Sequence, residues 1–259
     1  MGHLILNYPS KALHQTTQIQ VILPEESNDV TPLYKEGDYI LIYLLHGLTG
    51  NASEWMRFSK IEYYAKKYNA IVVMPEGHRS FYLNHPGAHY EQYVSTELPE
   101  ILNRWFKVPS KEKTFLCGES MGGYGTLRIG LSHPDNYHKM AAISPVISLR
   151  KLIASEWNIF DENEWTNFDF EKIREPQELL AEGNFEDDKD QKLLLLCGTE
   201  DDFYINTMEF EKTCHQYSIK VASCYEPGEH SWLYWDHAIH RVIRFFRGLD
   251  YTGDILRDL

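Results

Sequence analysis

Apolar residues in this chain are grouped in short runs, which are separated by longer stretches of mixed character. Three runs are almost continuously apolar, as in strands buried on both faces of a sheet: 39–45, 139–144 and 192–197. Shorter runs predict further strands at 70–74, 114–117 and 220–225. Two early segments, 3–7 and 18–23, are also predicted as strands, and the second alternates weakly between polar and apolar residues, as antiparallel edge strands do.

Between these strands, apolar residues recur at the spacing of a helix. One amphipathic helix is predicted over 54–68, from Trp55, Phe58, Ile61, Ala65 and Tyr68. Pro99 is expected to kink a second helix or to mark its late start. Further helices follow the later strands, so that the predicted set is 54–68, 93–106, 124–131, 204–217 and 232–246. Alternating strands and helices predict an α/β fold, with a mostly parallel sheet of about eight strands and helices on both faces.

The segment from 145 to 190 departs from this alternation. It mixes short helical pieces with aromatic residues, and 13 of the residues from 156 to 190 are acidic while 3 are basic. Because it is too long for a plain connection, we interpret it as a small cap or lid inserted in a single domain that spans 1–259. An acidic surface excursion without a function is an equally good interpretation of the same composition.

Composition limits the partners and the compartment. The 259 residues carry a net charge of −13, which disfavours binding to nucleic acid and to anionic membranes. Every apolar run is too short to span a bilayer, and the first residues lack the pattern of a signal peptide. None of the four cysteines belongs to a C-x-x-C pair, so we expect reduced thiols in a cytoplasmic protein. The sequence leaves the oligomeric state open, a homo-oligomer included.

The strongest chemical signal is Gly118-Glu119-Ser120-Met121-Gly122, a G-x-S-x-G motif between a predicted strand and a predicted helix. A serine nucleophile in this motif stands on a sharp strand-to-helix turn, and the two glycines leave room where a side chain would clash. The alternative is a glycine-rich turn that contains a serine by chance. The strand before the motif and the helix after it favour the nucleophile elbow.

A base and an acid follow in the expected order. Loops after two later predicted strands carry Asp201, Asp202 and His230. Because the carboxyl ends of parallel strands meet at one edge of the sheet, these side chains are expected near Ser120. The order Ser, Asp, His is that of α/β-hydrolases, but position alone does not decide between the two aspartates.

These residues predict nucleophilic catalysis on an ester. His230 takes the proton of Ser120 during attack on the carbonyl carbon and returns it to the leaving alcohol. The oxyanion needs two N–H donors, which we assign to the backbone of Met121, after the nucleophile, and of Leu48, in the loop after strand 39–45. The alternative for this loop is a simple turn at the end of a strand.

Taken together, the motifs resemble those of the putative esterase (esterase D) family, and most of all its bacterial tributyrin esterases, which are related to S-formylglutathione hydrolases and feruloyl esterases. The motifs lie at 44–51 with Trp55, 118–125, 198–201, and 230–236, and the resemblance covers about residues 1–248. It implies a carboxylesterase for short acyl esters with Ser120, Asp201 and His230 as the triad. The cap segment matches no motif, so selectivity for the acyl group does not carry over.

One position departs from the family pattern, which usually has an apolar residue after the acid where this chain has Asp202. The acid of related hydrolases commonly lies three residues after the glycine that ends the strand, which here is Gly198 and selects Asp201. Asp202 is then expected to be the N-cap of the next helix. Bulky residues of the cap, such as Trp157 and Trp165, are expected to limit the acyl group to acetyl through butyryl.

Other functions were weighed against this one. A metal site is conceivable in the loop that contains Glu76, His78, His85, His89 and Glu91, but Pro86-Gly87 breaks the helix that such a site would need, so no metal or cofactor is expected. A thioesterase of the S-formylglutathione hydrolase type, or a carbohydrate acetyl or feruloyl esterase, would use the same residues. A non-catalytic binding module with this fold is the alternative from another class of protein.

Overall fold

A computed structural model describes residues 2–25, 30–155, 160–161, 164, 168–183 and 192–253. Within these ranges the strands are β1 (Gly2–Ser10), β2 (Gln15–Leu23), β3 (Ile40–Leu45), β4 (Ala70–Pro75), β5 (Asn84–His85), β6 (Ala88–His89), β7 (Thr114–Glu119), β8 (Lys139–Ile143), β9 (Leu193–Gly198) and β10 (Val221–Glu226). The α-helices are α1 (Glu54–Phe58), α2 (Ile61–Lys67), α3 (Tyr90–Gln92), α4 (Leu98–Trp105), α5 (Met121–Ser132), α6 (Leu149–Ile153), α7 (Pro176–Glu182), α8 (Tyr204–Gln216) and α9 (Trp232–Phe246).

Eight of the described strands form one sheet in the order β1-β2-β4-β3-β7-β8-β9-β10. β1 and β2 pair antiparallel at one end, β2 pairs antiparallel with β4, and all later neighbours are parallel. This is the predicted α/β-hydrolase type of fold, and the predicted antiparallel edge is confirmed. The chain turns from β3 toward β4 on one side and later places β7 on the other side of β3. The loops after β3 and β7 therefore lie side by side, at the switch point where open α/β sheets bind ligands.

Both faces of the central strands are covered, which explains why β3, β4 and β9 are apolar along their length. Along β3, Leu41, Tyr43 and Leu45 belong to a core on one face, which includes residues of α4 and α5. The alternate residues of β3 belong to a second core on the other face, which includes residues of α2 and α9. Because side chains alternate between the two faces of a strand, a strand covered on both sides has few polar positions.

The prediction of a single helix over 54–68 is wrong. The segment forms two helices, because Ser59 has an extended backbone (φ −132°, ψ 172°) and ends α1. Its hydroxyl accepts a hydrogen bond from the amide of Ile61 (3.2 Å), and the amide of Lys60 donates to Asp236 (2.7 Å). These contacts satisfy N–H groups at the start of α2 that a continuous helix would have bonded internally.

The predicted helix over 93–106 starts earlier and changes its geometry. A π-helical turn, Tyr93–Glu97, joins α3 to α4 and directly precedes Pro99, near the start of α4. Proline has no N–H to donate, so a regular ladder of helical hydrogen bonds is interrupted at this residue. The predicted late start is therefore wrong, and the wide turn stands where proline disturbs the helix.

The cap predicted over 145–190 is described only in part, as α6, α7 and the short stretches next to them. Trp157 and Trp165 lie outside the described residues. The Arg79 guanidinium pairs with Glu164 (Nε–Oε1 2.6 Å), which links the described part of this segment to the loop after β4. No helix in the described parts of the chain is long and apolar enough to cross a membrane.

Candidate active site

Ser120 occupies the strained turn between β7 and α5. Its backbone has φ 54° and ψ −114°, a conformation that residues other than glycine rarely adopt. The amide of Ser120 donates to Ile143 of β8 (3.0 Å), and its carbonyl accepts from Tyr124 (3.0 Å) and Val146 (3.2 Å). The neighbouring strand and the helix therefore fix the serine in this conformation, as strain at a functional position requires.

The glycines of the motif are needed for close packing. A Cβ atom on Gly118 would lie 2.4 Å from the carbonyl oxygen of Gly122, and one on Gly122 would lie 2.5 Å from the carbonyl oxygen of Leu45. Backbone atoms cannot move away from such contacts without moving the strand or the helix. The sequence-based explanation of both glycines is confirmed.

Ser120, His230 and Asp201 form one chain of hydrogen bonds at the carboxyl edge of the sheet. His230 Nε2 lies 3.0 Å from Ser120 Oγ, and His230 Nδ1 lies 2.9 Å from Asp201 Oδ2. Since an ionised carboxylate can only accept, Nδ1 carries the proton and Nε2 is left to accept from the serine hydroxyl. The Asp201 side chain is fully buried, while 21% of the His230 side chain is exposed.

The loops that carry Asp201 and His230 are packed against each other. A Cβ atom on Gly198 would lie 2.0 Å from the carbonyl oxygen of Gly228, so only glycine allows this approach. The amide of Glu200 donates to the Gly228 carbonyl (3.1 Å), and the Glu200 carboxylate accepts from the Gly228 amide (2.5 Å). These contacts hold Asp201 and His230 at a fixed separation.

Two residues outside the predicted site support Asp201 and His230. The indole of Trp235 packs edge-on against the His230 ring, with centroids 4.9 Å apart, and its Nε1–H donates to the hydroxyl of Ser144 (3.2 Å). Ser144, which has φ 44°, also helps to lower the pKa of the Asp201 carboxyl through its hydroxyl. Trp235 and Ser144 thus lie beside His230 and Asp201.

The environment of Asp201 favours its ionised form. Burial by itself would raise the pKa of the Asp201 carboxyl, but the His230 ring, the Phe203 amide and the Ser144 hydroxyl together hold that pKa below its usual value. The Phe203 amide donates to Oδ1 (2.9 Å), on the side opposite His230. Both oxygens are thus occupied, and the carboxylate is ready to orient the imidazole.

The expected N-cap role of Asp202 is wrong. The N-cap of α8 is Phe203, and no side chain caps this helix. Asp201 takes the local hydrogen bond that we expected of Asp202, since its own Oδ1 accepts from the Phe203 amide. Asp202 is exposed and lines a cavity beside the site.

The loop after β3, residues 46–50, lies next to Ser120 and is held by hydrogen bonds to its carbonyl groups. The indole of Trp55 donates to Leu45 (3.1 Å), the hydroxyl of Tyr82 donates to His46 (3.0 Å), and His46 Nδ1 donates to Gly47 (2.7 Å). These bonds fix the backbone that carries the amide of Leu48. The amide of Met121 is among the first in α5, where N–H groups have no partner inside the helix. The assignment of both amides as oxyanion donors stays a prediction.

A cavity of about 260 Å³ opens beside the hydrogen-bonded chain. Phe203, one of its lining residues, packs edge-on against the His230 ring at a centroid distance of 4.9 Å. Val146, another lining residue, donates its amide to the carbonyl of Ser120. Residues that contact His230 and Ser120 therefore separate the cavity from these two residues, neither of which lines it.

The histidine-rich loop after β4 does not gather metal ligands. Among the described residues, no three histidine, cysteine, aspartate or glutamate side chains are close enough together to hold an ion. His85 and His89 belong to a short hairpin of β5 and β6 that turns at Gly87 (φ 84°). This turn replaces the helix that would have placed both rings on one face.

Sequence reasoning missed Ser144, Trp235 and the packing role of Phe203. Ser144 follows the apolar strand β8 directly, at the same sheet edge as the motifs, and that position was the signal available. Nothing in the sequence pairs it with Asp201, because the contact joins residues 57 positions apart that only the fold brings together.

Ser144→Ala is expected to lower kcat for an ester about three- to tenfold with little change in KM, because the Ser144 hydroxyl helps to keep Asp201 ionised and accepts the indole N–H of Trp235, which packs on His230. Steady-state kinetics checks this, with Ser223→Ala as a matched control, because the Ser223 hydroxyl donates to Glu211 (2.7 Å) away from the site. An unchanged kcat in folded Ser144→Ala would show that the Ser144 hydroxyl has no part in turnover.

The fold and this arrangement define a serine hydrolase of the α/β-hydrolase type. The chain belongs to the Putative esterase family, whose sequence model matches residues 10–246. It is an esterase.

Three known proteins are similar to this chain over nearly its whole length. An acetyl esterase of Caldicellulosiruptor saccharolyticus is 28% identical, over 92% of this chain and 96% of its own length. The structure of the fluorophosphonate-binding serine hydrolase F of Staphylococcus aureus is 31% identical, with a TM-score of 0.82 over 95% of this chain and 98% of that one. An S-formylglutathione hydrolase of Staphylococcus aureus is 30% identical, with a TM-score of 0.80 over the same shares.

Proposed function

We propose that this protein is a serine carboxylesterase that hydrolyses short-chain acyl esters through an acyl-enzyme on Ser120. The observation that carries the proposal is the chain of hydrogen bonds from Ser120 through His230 to Asp201, which begins at a serine held in a strained elbow. Serine is a weak nucleophile by itself, and an adjacent base that is oriented by a buried acid activates it.

The reaction has two halves that use the same groups. In the first, Ser120 Oγ attacks the ester carbonyl while His230 Nε2 accepts its proton, and the tetrahedral intermediate collapses as His230 protonates the leaving alcohol. In the second, His230 deprotonates a water molecule that attacks the acyl-enzyme and returns the proton to Ser120. Asp201 stabilises the imidazolium that forms in each half and stays ionised.

The negative charge of each tetrahedral intermediate requires donors that are already in place. We assign this role to the amides of Leu48 and Met121. The fixed carbonyl groups of Leu45, His46 and Gly47 support the assignment of Leu48, since they leave its peptide little freedom. One such donor typically contributes about 3–4 kcal/mol to stabilising the transition state.

The acyl group is expected to be short. A cavity of about 260 Å³ lined in part by Phe203 and Val146 lies next to the site, and an acetyl esterase is among the relatives. We expect kcat/KM for p-nitrophenyl esters to be highest between acetate and butyrate and to fall about tenfold or more by octanoate. A panel of graded chain lengths measures this, and a kcat/KM that rises from butyrate through laurate would contradict it.

A thioesterase is the second candidate, because an S-formylglutathione hydrolase is 30% identical over 95% of the chain. The two candidates share the same nucleophile and differ in the leaving group. Comparing kcat/KM for S-formylglutathione and for p-nitrophenyl acetate decides between them, and the carboxylesterase proposal expects the oxygen ester to be the better substrate. Acetylated sugars and a feruloyl ester in the same panel test the carbohydrate esterase alternative.

We place the enzyme in the cytoplasm, with a small-molecule ester as its partner and no role in nucleic acid binding. All four cysteines are free thiols, and Cys117, Cys197 and Cys214 are buried. The acidic net charge of −13 supports the absence of a polyanionic partner. We also keep the proposal of a cap over 145–190 in a single domain, which the Arg79–Glu164 pair supports.

A further inference from the structure

Glu119, the residue directly before Ser120, is a buried carboxyl group that the reaction scheme does not use. It ends β7 and is only 2% exposed, and its Oε2 has no hydrogen-bond partner among the described residues. An unpaired carboxyl this close to a nucleophile is costly to bury, so its presence calls for a role.

The Glu119 carboxyl lies against the loop that carries the proposed oxyanion donor. A Cβ atom on Gly47 would be 2.5 Å from each carboxyl oxygen, so the carboxyl is in direct contact with the backbone of Gly47. Gly47 precedes Leu48, and Glu119 itself is two residues before Met121. One side chain thus joins the two backbone segments whose amides must point at the same oxygen.

The surroundings of Glu119 favour its neutral form. The described groups that face it are Glu54 of α1, Tyr82 from the loop after β4, and Cys117 of β7, and none of them is a cation. Burial, with the charge of Glu54 in addition, raises the pKa of Glu119 to about 8, while the Gly47 amide opposes the shift. Burial also raises the pKa of Tyr82 and of Cys117, so both stay neutral where Glu119 titrates.

We propose that Glu119 is a positioning residue: as a neutral carboxylic acid it braces Gly47 so that the amides of Leu48 and Met121 converge, and as a carboxylate it opposes the oxyanion. This inference rests on the proposed function. A carboxylate behind the oxyanion loop would place a negative charge near the charge that develops in the transition state, in a site with little water to screen it.

The first test is the pH dependence of kcat/KM for p-nitrophenyl acetate. The natural enzyme is expected to lose activity above about pH 8, falling at least about fivefold by pH 9.5, whereas Glu119→Gln, which keeps the shape without the charge, should change less than about twofold. Asp135→Asn is the matched control, because it removes a carboxylate that is 97% exposed in a surface pair with Lys111. Asp135→Asn should lose kcat/KM above about pH 8 as the natural enzyme does. The same loss in Glu119→Gln would overturn the proposal.

A second variant separates bracing from charge. Glu119→Ala removes both, and it is expected to lower kcat about tenfold or more at every pH with little change in KM, because the misplaced donors matter mainly in the transition state. An equal loss through KM alone would contradict the positioning role.

The second measurement needs no substrate. Because the folded pKa of Glu119 lies above the unfolded value of about 4.5, its contribution to stability is fully present below that value and is lost as the pH rises through about 8. The Tm of Glu119→Gln relative to the natural protein is therefore expected to increase by several degrees between about pH 5 and pH 8.5. If the Tm difference between Glu119→Gln and the natural protein stays constant with pH, the proposal that Glu119 is a buried neutral acid is overturned. If the Tm difference changes as expected but the protein has no esterase activity, only the proposed function is contradicted.

Discussion

Replacing Ser120 with alanine is expected to lower kcat for p-nitrophenyl acetate by about 10⁴-fold or more while the protein stays folded. Without Oγ no acyl-enzyme can form, and His230 can only assist direct attack by water. The residual rate would come from the oxyanion donors and from binding of the ester. Steady-state kinetics measures the loss, and circular dichroism with a thermal melt establishes that the fold is kept.

The control for this substitution is Ser218→Ala. Ser218 also has a positive φ (59°), but it is exposed after α8 and has no contact with the site. Any effect of placing alanine in a left-handed backbone conformation should therefore appear in both variants, while the loss of activity should appear only in Ser120→Ala. Activity within tenfold of the natural enzyme in Ser120→Ala would exclude Ser120 as the nucleophile.

Asp201→Asn is expected to lower kcat by about 10²–10⁴-fold with little effect on the fold. The amide oxygen of asparagine can still accept from Phe203, so its NH₂ group would face His230 Nδ1. That NH₂ can only donate, which favours the tautomer with the proton on Nε2, and this nitrogen then cannot accept the proton of Ser120. The expected loss is thus a loss of the correct tautomer.

Asp202→Asn is the matched control, since it changes the neighbouring carboxylate in the same way. Asp202 is exposed and does not cap α8, so we expect kcat within about twofold of the natural enzyme and a change in unfolding free energy below about 0.5 kcal/mol. Kinetics and thermal melts of both variants decide the assignment. A large loss in Asp202→Asn with an active Asp201→Asn would reverse it.

Most of the sheet could be predicted because its strands are buried on both faces. The apolar runs 39–45 and 192–197 each coincide with a strand to within one residue. The antiparallel pairing of β2 with β1 and β4 was signalled by the weak alternation of 18–23, since strands near the end of a sheet keep some polar positions. These signals are local, because a strand that is buried on both faces requires apolar residues at successive positions.

The break between α1 and α2 could not be predicted from spacing. Apolar residues on both sides of the break face the same core, so the helical period continues across it. What ends α1 is the extended backbone of Ser59 and the hydrogen bond from Lys60 to Asp236, a residue 176 positions away. Such a tertiary contact leaves no trace in the local pattern.

The residues of the candidate site, too, could be predicted only in part. Ser120, Asp201 and His230 follow predicted strands, so the topology brings them together, and in the structure they are in hydrogen-bond contact. Position alone could not decide between Asp201 and Asp202, because they are neighbours in one loop and a shift of one residue changes which side chain points inward. Ser144, Trp235 and Glu119 were missed because their importance lies in contacts between loops.

Covalent labelling of the nucleophile tests the central claim most directly. After the protein is treated with a fluorophosphonate, its intact mass should show one phosphonyl adduct, and peptide mapping should place the adduct on Ser120. Ser120→Ala should remain unmodified, while Ser218→Ala should be labelled like the natural protein. An adduct on another residue would identify a different nucleophile, and the absence of any adduct on the folded protein would contradict Ser120 as an activated nucleophile.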